Sequence, residues 1–244
     1  MNTVKKLLAL LFWVAVWYLL ALWVDNPLLL PAPFQVLQRL GQLALTADFW
    51  KTTAISLVRI MAGITAGVIL ATALALLSTR FALIDGLISP LLTGIQASPI
   101  ASFSVLVLIW LDRDYVPVLI CCLMVLPVVW SNVCTGIRGI DPQLLEMAKA
   151  YRLSRGKTLL RITVPSVLPY FRTGCSNGLG LGWKAGIAAE VLTVPRHSIG
   201  RMISEAKLYL ETTDLFAWTF AVIALSLILQ KLMLMLLSGR DRHA

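Results

Sequence analysis

Residues 56–77 read SLVRIMAGITAGVILATALALL, 22 positions with a single charge, Arg59, near the start. A helix of that length rises about 33 Å, enough to cross about 30 Å of hydrocarbon. A strand or a core helix of a soluble domain has no use for so long an apolar run. Comparable runs occupy residues 7–24, 87–111, 116–133, 167–192 and 215–237. Over the whole chain 59% of the 244 residues are hydrophobic and 14% are charged, a balance that would leave a soluble domain with large exposed apolar patches. No polar linker divides the runs. The sequence therefore predicts one domain over residues 1–244, an all-α membrane protein with six transmembrane helices.

The connections set its orientation. Lys5 and Lys6 precede the first run, which is longer than a signal-peptide core and has no small-residue cleavage site before Asp25-Asn26-Pro27. It reads as a retained helix with a cytoplasmic N-terminus. Residues 27–51 are too polar to span, and Phe34, Leu37, Leu40 and Leu45 recur at helical spacing, as in a helix lying at the outer surface. Pro90 and Pro99 interrupt the third run. With both termini cytoplasmic, 13 of the 21 Lys and Arg fall on the inner side and 7 on the outer, with Lys184 inside a span. That asymmetry favours six spans with both ends inside.

The net charge of +9 lies in short loops beside apolar runs, so it reads as membrane topology, and no basic face with interleaved aromatics suggests nucleic acid. Cys121, Cys122, Cys134 and Cys175 sit in or beside apolar segments without metal-like spacing and read as buried thiols. With His197 and His243 the only histidines, neither a metal site nor histidine-based catalysis is expected.

Two stripes of small residues mark the spans. Gly174, Gly178, Gly182 and Gly186 recur every four residues in the fifth, and Gly63, Gly67, Ala71 and Ala75 do so in the second. Such stripes admit a close helix neighbour, either in the same chain or in a second subunit. Lys184 and Glu190 stand in the fifth span, where an ionisable group should face the bundle interior or a water-filled path. Six residues apart, they cannot pair along one helix. They read either as lining of a translocation path or as groups that snorkel and bond to backbone. Arg59 is a candidate partner for Glu190 or an interfacial anchor.

Residues 138–165 are the polar centre of the chain. Gly156-Lys157-Thr158 imitates the end of a nucleotide-binding loop, but Tyr151 stands where the earlier glycine would be and no strand precedes it. The chain is not expected to bind ATP. Asp141-Pro142 begins a short helix, since Asp caps and Pro suits the first turn. From Glu146 the loop resembles the Glu-Ala-Ala signature of binding-protein-dependent ABC importer permeases. In that family a glycine follows at the seventh position, and a hydrophobic and basic run closes on a proline near the twentieth. Glu146, Ala148 and Pro165 match places one, three and twenty, whereas Met147 and Arg152 stand at places two and seven. Without glycine, the turn at Arg152 must avoid a positive φ or rest on additional contacts.

Further stretches are similar to the sulfonate, taurine and nitrate branch of that family. They are Leu30-Pro31-Ala32-Pro33, Ser56-Leu57-Val58-Arg59 with Gly63, Gly139-Ile140-Asp141-Pro142, and Trp183-Lys184-Ala185-Gly186 through Ala189-Glu190. The resemblance implies a type I importer permease in the bacterial inner membrane, carrying a cytoplasmic coupling helix. Glu146, Ala148, Lys149, Ala150, Arg152, Ser154 and Arg155 would then contact a separate ATPase subunit, which binds the ATP and Mg. A second permease copy, as a homodimer, and an external solute-binding protein complete the implied assembly. The implied cargo is a small anion such as a sulfonate or nitrate, or a vitamin precursor. The chain itself would be a transport subunit and not an enzyme. An ATP-independent channel or carrier would leave the helix-forming basic loop without a purpose, and an intramembrane enzyme would lack a recognisable catalytic pair.

Overall fold

The computed structural model describes residues 3–238; the basic tail at 239–244, with Arg240 and Arg242, lies outside the described residues. The described chain is helical, with no strand among its described residues. Helix α1 (Thr3–Val24) is followed by the short amphipathic α2 (Pro33–Ala44) and by α3 (Ala47–Arg80), 34 residues and about 50 Å long. Then come α4 (Ala82–Ala97), α5 (Ile100–Val107), α6 (Val116–Arg138), α7 (Pro142–Ala150) and α8 (Arg155–Thr158). A π turn over Leu159–Thr163 leads into α9 (Val164–Thr193), and α10 (Ile199–Leu208) and α11 (Thr212–Ser238) close the chain.

Four helices (α1, α3, α6 and α11) are long and apolar enough to cross a membrane, and the pair α4 and α5 makes a fifth if its halves count together. Two sequence expectations change here. The third run is no straight span over 87–111: α4 and α5 meet at 103°, and the chain beyond Val107 turns. Pro99 is the cause, because a proline forces the residue before it out of the helical region, and Ser98 is extended at φ −74° and ψ 130°. Pro90, by contrast, is carried inside α4 without a break. The other change concerns α9. It is long enough to span, but its glycines, Asn177, Lys184 and Glu190 make it less apolar than the four.

That composition follows from its place. The most extensive packing joins α6 to α9 and α6 to α3, so these three helices form the core. Both small-residue stripes are used inside this chain. A Cβ at Gly182 would lie 2.7 Å from Ile64 Cγ1 and 2.8 Å from Val125 Cγ2; one at Gly186 would lie 2.6 Å from Cys121 Sγ. Gly174 and Gly178 face Asn132, Val129 and Val125, while Gly63 meets the backbone of Val118 and Gly67 that of Cys122. Ala71 and Ala75 are fully buried. Gly182→Ala should therefore destabilise the fold by about 1–3 kcal/mol through overpacking. Thermal unfolding of the solubilised protein checks this, and an unchanged midpoint would contradict the packing.

Around the core, α2 lies on α11. Its buried face is Pro33 and Val36, with Leu40 and Leu43 against the core, whereas Phe34, Leu37 and Leu45 are exposed. Arg39 donates twice to Asp214, at 2.5 and 2.7 Å, and so pins α2 to the start of α11. Trp17 of α1 stacks on Phe220 at 5.5 Å.

Candidate functional site

Two polar constructions sit at opposite ends of α9. At its beginning, Asp141 caps α7 by accepting from the Gln143 N–H at 2.8 Å. At the end of α7, Arg152 adopts a left-handed φ of 49°. The Arg152 N–H bonds to the Lys149 carbonyl at 3.0 Å and the Leu153 N–H to the Ala148 carbonyl at 2.9 Å. These are the two bonds of a Schellman turn, which normally favours glycine at this position. The turn thus keeps the glycine-type conformation with arginine in it, and backbone bonds supply the additional contacts. Arg152→Gly should stabilise the chain by about 1 kcal/mol by removing the Cβ penalty. A thermal shift upward would match; a fall would mean the arginine side chain holds the turn.

Ser154 then restarts the helix, accepting from the Lys157 N–H at 3.5 Å. The π turn follows, closed by the Val164 N–H on the Leu159 carbonyl. Pro165 has no N–H to offer the preceding turn, which accounts for the slip in register just before it. From Arg155 the chain runs through α8 and the π turn into α9 without a gap.

Helix α7 makes no extensive contact with the spanning helices. Ala148 is buried, while Glu146, Lys149, Ala150, Arg152, Ser154 and Arg155 are exposed. Leu144, Met147 and Tyr151 form an exposed apolar face beside Glu146, with Tyr151 77% exposed. Sequence reading took Met147 as a departure from a pattern and missed this face, although the three-and-four spacing of these residues was legible. A cleft of about 480 Å³ lies behind α7, lined by Leu145, Ala148, Leu153, Thr158, Leu159 and Thr163 among others. At the same end, Arg138 and Asp85 pair at 2.8 Å between α6 and α4.

At the far end of α9, Glu190 is completely buried. Its carboxylate accepts from Ser56 Oγ at 2.8 Å, Arg59 Nη1 at 2.9 Å and the Gly200 N–H at 3.3 Å. Ser56 Oγ accepts in turn from the Ile199 N–H at 2.8 Å. The other Arg59 nitrogen donates to the Arg196 carbonyl at 3.1 Å and lies 3.4 Å from Asp114, which accepts from the Arg196 N–H. Gly200 is placed so that a Cβ would collide with Glu190 itself. The lock joins α3, α9, the start of α10 and the loop before α6. It closes over a turn in which Val194 and His197 both hold a positive φ, an unfavourable state for a β-branched residue.

Lys184 is different. Of the three residues expected along a path, it alone is exposed; Arg59 is mostly covered and Glu190 wholly so. It makes no hydrogen bond or ion pair among the described residues. Left in hydrocarbon, such a group would cost at least about 2.5 kcal/mol, so this face requires water, a ligand or another protein surface. No group of His, Cys, Asp and Glu among the described residues is arranged to hold a metal.

Comparison with known proteins places this geometry in context. Residues 63–239 match the family model described as "Binding-protein-dependent transport system inner membrane component". The chain is 29% identical over 230 residues to the taurine transport system permease protein TauC of Escherichia coli K12, covering 92% of this chain and 83% of that protein. It is 25% identical over 206 residues to the putative aliphatic sulfonates transport permease protein SsuC of Bacillus subtilis 168, covering 84% and 74%. Its fold is similar to a chain in the crystal structure of an amino acid ABC transporter with histidines, at a TM-score of 0.60 and 16% identity, covering 78% of this chain and 91% of that one.

Proposed function

The chain belongs to the family of binding-protein-dependent transport system inner membrane components, and from that premise we propose that it is the membrane-spanning subunit of an importer driven by a separate ATPase. Two copies pair in a bacterial cytoplasmic membrane around a shared path, with both termini and α7 on the cytoplasmic side. A solute-binding protein delivers cargo at the opposite end, where the Glu190 lock, α2 and α10 lie.

The observation that carries this reading is the form of the 142–163 element. It is a capped helix that packs little on its own subunit, presents Leu144, Met147 and Tyr151 outward, and runs through α8 and the π turn into α9. Such a lever suits a partner whose cleft opens and closes. ATP and Mg are bound by that partner, and closure of the ATPase pair moves α7 and the core helices attached to it. The cargo is a small solute bearing an anionic group such as a sulfonate, by analogy with the taurine and sulfonate relatives.

The test is a site-directed cross-link. With cysteine introduced at Met147 and a matching cysteine in the ATPase cleft, a disulfide should form in the assembled complex and should arrest uptake until reduced. Failure of Met147→Cys and of Tyr151→Cys to cross-link in an assembled complex would place the contact elsewhere.

A further inference from the structure

We propose that Lys184 heads a binding site for a small anion carrying a short apolar chain, held inside the membrane in the cleft between α9 and α11. This rests on the importer reading and adds to it a site in the permease itself, distinct from any in the binding protein.

The cleft has a volume of about 420 Å³ and is lined by Trp183, Lys184, Ile187, Val222, Ile223 and Ser226 among others. The surface it presents is almost wholly apolar, and Lys184 is the one charged residue on its lining. Trp183 is buried, its indole N–H covered and without a partner, and its ring forms part of the apolar wall. No carboxylate lines the cleft, so Lys184 has no counter-ion there. The other charge of α9, Glu190, is fully satisfied by Arg59, Ser56 and Gly200, so it neither offsets Lys184 nor competes for it. The remaining walls are aliphatic and suit a short alkyl chain better than a bare inorganic ion.

The position also fits a route. Along α9 the exposed residues Thr173, Asn177, Leu181, Lys184 and Ala188 share one face at helical spacing. Toward the α7 end that face continues into a second cleft of about 400 Å³, lined by Ser131, Asn132, Thr135, Tyr170 and Thr173. An anion released from Lys184 would find hydroxyls and amides on its way inward.

The experiment is titration calorimetry on the permease–ATPase complex in phosphatidylcholine nanodiscs, without binding protein, using 1-butanesulfonate, sulfate and butylammonium as probes. Butanesulfonate should bind, sulfate should bind about tenfold more weakly for want of a chain, and butylammonium should not bind. Lys184→Met should weaken butanesulfonate by about tenfold or more, and Lys184→Arg should restore most of it. Ile223→Trp, which fills the cleft and keeps the lysine, should also abolish binding. Unchanged affinity in Lys184→Met, or no binding by the parent complex, would overturn the site. So would a tightly retained phosphatidylglycerol that excludes butanesulfonate, since the cleft would then hold a lipid headgroup. Co-elution of the ATPase subunit reports separately on the importer reading.

Discussion

Glu190→Ala should destabilise the protein by about 3–5 kcal/mol, enough to remove most of it from the membrane. The carboxylate is completely buried and accepts from Ser56, Arg59 and Gly200. Its loss leaves a largely buried guanidinium whose remaining carboxylate, Asp114, is 3.4 Å away. It also frees a turn that keeps Val194 and His197 at positive φ. Removing one partner of a buried pair is costlier than removing both, because the survivor stays charged without compensation. Hence Arg59→Met should harm nearly as much, and the double variant Glu190→Gln with Arg59→Met should recover part of the loss. Thermal unfolding of solubilised protein measures all of these. A Glu190→Ala variant melting with the parent would show that the lock contributes nothing.

Glu146→Lys is expected to abolish transport and leave the protein folded and in the membrane. Glu146 is exposed on α7, in no bond that shapes the helix, beside the apolar face of Leu144, Met147 and Tyr151. Lys149, Arg152, Arg155 and Lys157 already make this element basic, so the change inverts the one acid within residues 142–163. In the proposed contact with the ATPase, the inversion replaces attraction by repulsion, a penalty of several kcal/mol at close contact. Uptake in intact cells, with membrane level followed by immunoblot, separates lost coupling from lost protein. Normal uptake by the variant would remove Glu146 from the contact.

These two residues were unequally legible in sequence. Glu146 opens a local pattern, and helix α7 follows from Asp141 and Pro142, so both its start and its exposure could be read from neighbouring letters. Glu190 depends on Ser56 and Arg59, more than 130 positions away, and on a backbone N–H of Gly200. Sequence could nominate Arg59 as a partner but could not choose between that and an interfacial anchor. Four of the six spans, the first, second, fourth and sixth, coincide with helices long and apolar enough to cross, because a nearly uncharged apolar run of about 18 or more residues suits little besides a membrane crossing. The break in the third was only half legible: two prolines were visible, and only packing decides which one a helix absorbs. The left-handed turn at Arg152 was half legible, because the resemblance put a glycine place there; those at Val194 and His197 left no trace, because neither residue type signals a positive φ. At Arg152 two backbone bonds carry the turn, and at Val194 and His197 the turn lies under the Glu190 lock. In the fifth span, charge alone could not separate a structural glutamate from a free lysine.

The central claim is that this chain converts the work of a separate ATPase into movement of solute. ATP hydrolysis should be measured in lipid for the purified chain alone, for the chain co-expressed with its ATPase subunit, and for that complex with solute-loaded binding protein. The account predicts no hydrolysis by the chain alone, hydrolysis by the complex, and a further rise when the binding protein is added. If no ATPase subunit associates with the chain, or if the complex ignores the binding protein, the importer account is contradicted.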